Sequence, residues 1–142
     1  MSLKTKLIRN LFMRRHRSTV PTGLVPLSDL GSAVLFLDNP SDLDEPQKIA
    51  IGKFFRQHGI ELSFLYADDE ELRSSSDLFI SLSPSGDVNE RYAAGCSRAR
   101  FKVGRHQLPG DIYDFVVTDN TPEPVPAIDA YNYIEQFLLN IQ

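Results

Sequence analysis

Two groups of residues in this chain have the types and spacing that could do chemistry. The first is Lys4, Lys6, Arg9, Arg14, Arg15 and Arg17, six cations with no acid among the first eighteen residues. Such a run suits an anionic partner, either nucleic-acid phosphates or acidic lipid headgroups. The second is Ser81, Ser83, Ser85 and Gly86, with Asp38 as a further candidate ligand-binding residue. Hydroxyls and a glycine ahead of a helix start are the ingredients of a phosphate cradle. Asp87 opposes that use, because a carboxylate capping the helix takes the amides an anion would need.

The remaining reactive side chains read as structural. Asp68, Asp69, Glu70 and Glu71 are consecutive, so their carboxylates point in different directions, and no His is near; a solvated helix start is expected there, not a metal site. Asp38 and Asp114 flank strand cores, where an Asp more commonly closes a turn than moves a proton. Cys96 falls in the middle of an expected helix on its apolar side, away from amides that would activate it. His16, His58 and His106 are separated by whole elements, and no GxSxG elbow accompanies them. Arg105 and His106, with Lys102 nearby, suit a solvated turn. The residues thus nominate no catalytic group, no metal ligand and no cofactor.

The elements that must position these groups follow from periodicity. Residues 2–17 form a helix with Leu3, Leu7 and Leu11 every four residues and Ile8 and Phe12 beside them, although Lys4 falls inside the apolar arc. Residues 19–32, with Pro21, Gly23, Pro26 and Gly31, read as a linker. A continuous apolar run at 33–38 is a strand buried on both faces. Asp44, Pro46 and Gln47 open a helix carrying Ile51, Phe54, Phe55 and His58 on one face, and Gly59 stops it. Strands at 60–66 and 77–83 come next, then a helix at 87–98 with Asp87 and Glu90 at capping-box spacing. Strands at 101–104 and 113–118, a turn with Pro122, Pro124 and Pro126, and a helix bearing Ile128, Tyr131, Ile134, Phe137, Leu138 and Ile141 complete the chain.

This order predicts a single three-layer α/β domain of Rossmann-like or flavodoxin-like type, with a largely parallel five-stranded sheet at 33–142. Residues 1–18 precede it as a basic helical arm and 19–32 as a linker. In such a sheet, ligands sit beyond the carboxyl ends of the strands. The loop at 38–42 has no glycine, which argues against a dinucleotide there.

At 142 residues the chain can bury a core without staples. Its one cysteine excludes an intramolecular disulfide and suits a reducing cytoplasm. No apolar run reaches the roughly 18 residues of a membrane span, and the stretch 7–13 is interrupted by Arg9, unlike a secretory signal. The net charge of -4 conceals a polarity: residues 1–18 carry +6, whereas the rest sets nine basic residues against all nineteen acidic ones, for -10. That disfavours nucleic acid lying across the body and directs any anionic partner to the arm.

Asp77-Leu78-Phe79-Ile80-Ser81-Leu82-Ser83, Arg91-Tyr92-Ala93-Ala94, the run from Ser97 through Arg98, Ala99, Arg100, Phe101, Lys102 and Val103 to Gly104, and Tyr113-Asp114 resemble a family of small bacterial proteins classed only as a domain of unknown function. The resemblance spans most of residues 30–142. Those relatives also begin with a basic arm and a hydrophobic strand ending in Asp, and they imply no activity. A shorter stretch is similar to the N-terminal half of lipopolysaccharide heptosyltransferases, where a D-L-x-I-x-L strand precedes a helix and a strand ending in V-G. This chain lacks their glycine-containing first loop and room for their second domain, so that similarity implies a Rossmann-like fold and not transfer of a sugar.

The leading expectation is a non-enzymatic adaptor whose arm docks on RNA or a ribonucleoprotein. With all six cations on duplex phosphates, the log-log salt slope would be about -5. The same arm could lie on an anionic membrane surface through Leu3, Leu7, Leu11 and Phe12, making the protein peripheral to the membrane, or serve as a mitochondrial transit peptide, which the bacterial resemblance disfavours. An alternative class is a small-ligand or nucleotide-binding domain using Asp38 and the turn at 81–87. A further one is a structural partner in a larger assembly.

Overall fold

The computed structural model describes residues 3–117 and 124–141. Among them lies one five-stranded, all-parallel sheet with strand order β2-β1-β3-β4-β5. The strands are β1 (Ser32–Leu37), β2 (Glu61–Tyr66), β3 (Leu78–Ser81), β4 (Phe101–Gly104) and β5 (Phe115–Val116). The helices are α1 (Leu3–His16), α2 (Glu45–Gln57), α3 (Val88–Cys96) and α4 (Ala127–Asn140). The predicted α/β, Rossmann-like class is therefore observed, with the strand order of flavodoxin-like sheets.

Alternation along β1 divides the core into two layers. Ala33, Leu35 and Leu37 pack with Ile51 and Phe55 of α2 and with Tyr131, Ile134 and Leu138 of α4. Val34 and Phe36 face the other way, toward Tyr92, Ala93 and Cys96 of α3. A strand with helices on both sides must be apolar at every position, and Ala33 to Leu37 are all buried.

Local signals set the helix starts. The Asp44 side chain accepts from the Gln47 amide while Gln47 Oε1 accepts from the Asp44 amide, a closed capping box with Pro46 in the first turn. Asp87 caps α3 through the Asn89 and Glu90 amides. The expected reciprocal bond is absent, however: Glu90 Oε1 accepts from Gly86 N, 3.0 Å away, leaving its other oxygen for a tertiary partner.

Two expectations need correction. The acidic stretch after β2 is no helix start: residues 67–77 run irregularly, with Asp69 Oδ2 folded back on the Tyr66 amide and Leu72 sunk in the core. The last strand is short because Tyr113 turns inward and Asp114 is consumed by both backbone groups of Lys102. Thr118, the expected end of that strand, and Pro122 of the following turn lie outside the described residues.

With no helix between β2 and β3, the place beside α3 is filled by α1 instead. Ser18 N then donates to Gly95 O, and Gly23 N to Arg100 O, so the chain stays on the body after α1. Leu27 and Leu30, in the segment read as a linker, are buried in the core layer under α2 and α4.

Candidate functional site

The predicted cations all fall on or just after α1, and its seating decides which of them face outward. Its inner face is centred on a buried polar side chain. Arg9, 7% exposed, donates through Nη1 to Ala67 O and Asn89 Oδ1, both at 2.8 Å, and through Nη2 to Asp69 O at 2.7 Å. An irregular connection buried beneath a helix leaves carbonyls that need donors, and a guanidinium supplies several in a fixed fork. Burial lowers the Arg9 pKa, with Tyr92, Asp68, Asp69 and Asp87 opposing that effect. His16 Nδ1 meets Tyr92 Oη at 2.5 Å, and Met13 packs into the layer around α3.

The apolar side of α1 consequently points to solvent. Leu3 is 83% exposed, Leu7 56% and Leu11 68%, with Ile8 and Phe12 less so. Lys4 and Arg15 are exposed beside this row, Arg15 lying 6.0 Å from the Phe12 ring centroid, and Arg17 is exposed just past the helix, near Gly110. Lys6 is half-buried, its Nζ 3.9 Å from Asp87 Oδ2. Arg14 is placed only by its position on the helix. A cleft of about 560 Å³ runs between α1 and the acidic connection, lined by Arg9, Phe12, His16, Tyr92 and the acids 68–71.

The second predicted group assembles at the carboxyl ends of β1 and β3, the point where the strand order reverses and where open α/β sheets bind ligands. Asp38 follows β1 and bonds Ser83. Burial is the main cause of its raised pKa, and its Oδ1 is buried without a hydrogen-bond partner among the described residues. The serines largely satisfy one another's backbone. Ser81 Oγ accepts from Ser83 N at 3.2 Å, Ser83 Oγ pairs with Ser85 Oγ at 2.9 Å, and Ser85 Oγ faces Asp87 N at 3.4 Å. Gly86, at φ 63°, takes a left-handed turn, and a Cβ there would lie 2.8 Å from His106 Nε2.

Sequence reasoning missed the network beneath this turn. Glu90 is fully buried, and Tyr113 donates to its Oε2 at 2.5 Å. Ser81 also bonds Glu90, and His106 Nε2 lies 3.8 Å from its Oε1. Burial is the main cause of the raised Glu90 pKa and drives that of Tyr113 well above its ordinary value. A Cβ on Gly104 would overlap the Tyr113 ring, so this glycine makes room for the tyrosine. No signal in the sequence links positions 90 and 113.

The basic residues read as a solvated turn are also committed inward. Arg105 donates to Leu82 O at 3.3 Å and Val125 O at 2.7 Å, and Lys102 Nζ donates to Ala94 O at 2.8 Å. Burial pushes the Cys96 thiol up to about 11, which suits a core residue. Among the described residues, no group of three or more His, Cys, Asp or Glu is arranged for a metal, and no helix is long and apolar enough to cross a membrane.

Chemically, the reversal point offers a half-buried carboxylate, hydroxyls already engaged with backbone, and helix amides already capped. The outer face of α1 offers an aliphatic row with cations beside it. A scan against protein-family models and searches of curated proteins and of solved structures return no match to this chain.

Proposed function

We propose that this protein is a peripheral docking protein whose α1 lies on the anionic face of a membrane, on the cytoplasmic side. The observation that carries this reading is the outward row of Leu3, Leu7 and Leu11 with Lys4 and Arg15 beside it, on a helix held to the body by its polar side. A helix that buries polar groups and exposes leucines has its apolar partner elsewhere. Interfacial helices combine such a row with cations whose long stems reach the headgroups.

Magnitudes agree with reversible attachment. Cations near an anionic surface contribute about 1 kcal/mol each, and fully buried leucines roughly 1.5–3 kcal/mol each. Lys4 and Arg15 with three partly inserted leucines would reach about 5–7 kcal/mol, or binding at roughly 10–200 μM. The body's charge of -10 would be repelled by the same leaflet, turning α1 toward it. RNA would use the cations, less the inward-turned Arg9, but would leave the leucine row without a role.

Flotation with phosphatidylcholine vesicles, with and without phosphatidylserine, tests this. The full chain should float only with the anionic vesicles and be released by high salt. Leu7→Ser with Leu11→Ser should abolish flotation while leaving the melting temperature unchanged, because both side chains are exposed. Sedimentation with nuclease-sensitive particles that this double variant retains would instead favour RNA.

A further inference from the structure

We propose that the open edge of β2, together with the flank of α2 beside it, is a strand-addition site for an extended acidic peptide. In the sheet, β2 pairs with β1 alone. Glu61 N donates to Gly31 O and Ala67 N to Leu37 O, so the odd-numbered residues of β2 direct their amides toward β1. The even-numbered ones face outward. Of these, Tyr66 N is taken by Asp69 Oδ2, whereas Leu62 and Phe64 meet no neighbouring strand among the described residues. An unprotected edge with outward amide and carbonyl groups is a template for another strand.

Beside this edge lies an open cleft of about 1090 Å³, lined by Lys48, Ile49, Gly52, Lys53, Arg56 and Phe64 among others. Ile49 is 65% exposed, and Leu62 and Phe64 are only partly covered by the core, so the cleft carries a strip of uncovered apolar surface. Gly52 is an independent sign. It sits in the middle of α2, where glycine is costly relative to alanine, yet a Cβ there would meet nothing within 4 Å. No contact among the described residues requires this glycine, and the close approach of another backbone would.

Charge selects the occupant. Lys48, Lys53 and Arg56 outnumber Glu45 and Glu61 around the cleft, on a body that is otherwise strongly acidic. A second copy joined edge to edge about a twofold axis would set these cations against their own copies, which costs affinity. An extended peptide with Asp or Glu alternating with Val or Ile satisfies both edge and rim. Because α2 and α1 pack on opposite faces of the sheet, this site stays open while α1 is docked.

The test is selection of random twelve-residue peptides displayed on phage against the full chain, without lipid. Peptides with alternating acidic and β-branched residues should be enriched. Their binding should protect the Leu62 and Phe64 amides from hydrogen exchange, and Gly52→Gln, which favours the helix and fills the cleft, should weaken it by at least about tenfold. Absence of acidic enrichment, or peptides that bind Gly52→Gln equally well, would overturn the proposal. So would a wild-type chain that sediments as a dimer with those two amides already protected. Because vesicles play no part, failure here leaves the membrane reading standing, and the reverse also holds.

Discussion

At the scale of single residues, Asp38 is the one predicted ligand-site group whose environment works against its charge. Its Oδ1 has no partner among the described residues, and burial raises its pKa. A carboxyl whose folded pKa lies above the unfolded value contributes stability below the unfolded pKa, and this is lost as pH rises through the folded pKa. Asp38→Asn should therefore stabilise the protein at neutral pH, with the gain vanishing in acid below the ordinary aspartate range. Because the group is half in water, the gain should stay under about 1 kcal/mol. Urea melts of both proteins across pH check it, and an Asn variant that is less stable at neutral pH would remove the argument. The serines around Asp38 were legible as a cluster but not as a self-satisfied one, since the bonds that consume them depend on the turn at Gly86.

At the scale of elements, α1 shows why a helical pattern alone cannot decide which face is buried. The sequence places Leu3, Leu7 and Leu11 in a row, and the natural expectation is that the row packs inward. Residues 67–77 reverse this: they cross the molecule without a helix and leave the carbonyls of Ala67 and Asp69 for Arg9 to satisfy. The capping box of Asp44 and Gln47 was readable because both partners lie within one turn; Arg9 and its partners are separated by 58, 60 and 80 positions. Arg9→Met keeps the length but removes the donors, and should cost about 2–3 kcal/mol. Lys4→Met, on the exposed side, should stay within about 0.5 kcal/mol. Denaturant titration separates the two, and equal effects would mean that Arg9 is not what holds α1 to the body.

At the scale of the whole molecule, the parallel sheet and its class follow from the order of apolar runs. The strand order does not, because which edge β2 takes depends on packing between distant elements. The division of charge was legible, but the arm it suggested is fastened along its length to α3 and to the connection before β3. Arm and body should accordingly unfold together. Calorimetry of the full chain should give one transition, and removal of residues 1–18 should lower its midpoint by uncovering Leu72 and Tyr92. A truncated chain melting at the same temperature would show that α1 contributes no stability.

The span between α1 and its contacts also sets an order in time. Arg9 and Met13 find their partners 58 to 83 residues further along the chain. At translation rates of roughly 5–20 residues per second, the helix leaves the ribosome about 3–17 s before the segment that seats it is complete. During that interval Arg9 has no carbonyls to hold, and both faces of the nascent helix meet whatever surface is nearest. The seating of α1 is therefore a late event in synthesis, because the carbonyls and the helix that receive Arg9 emerge only after it.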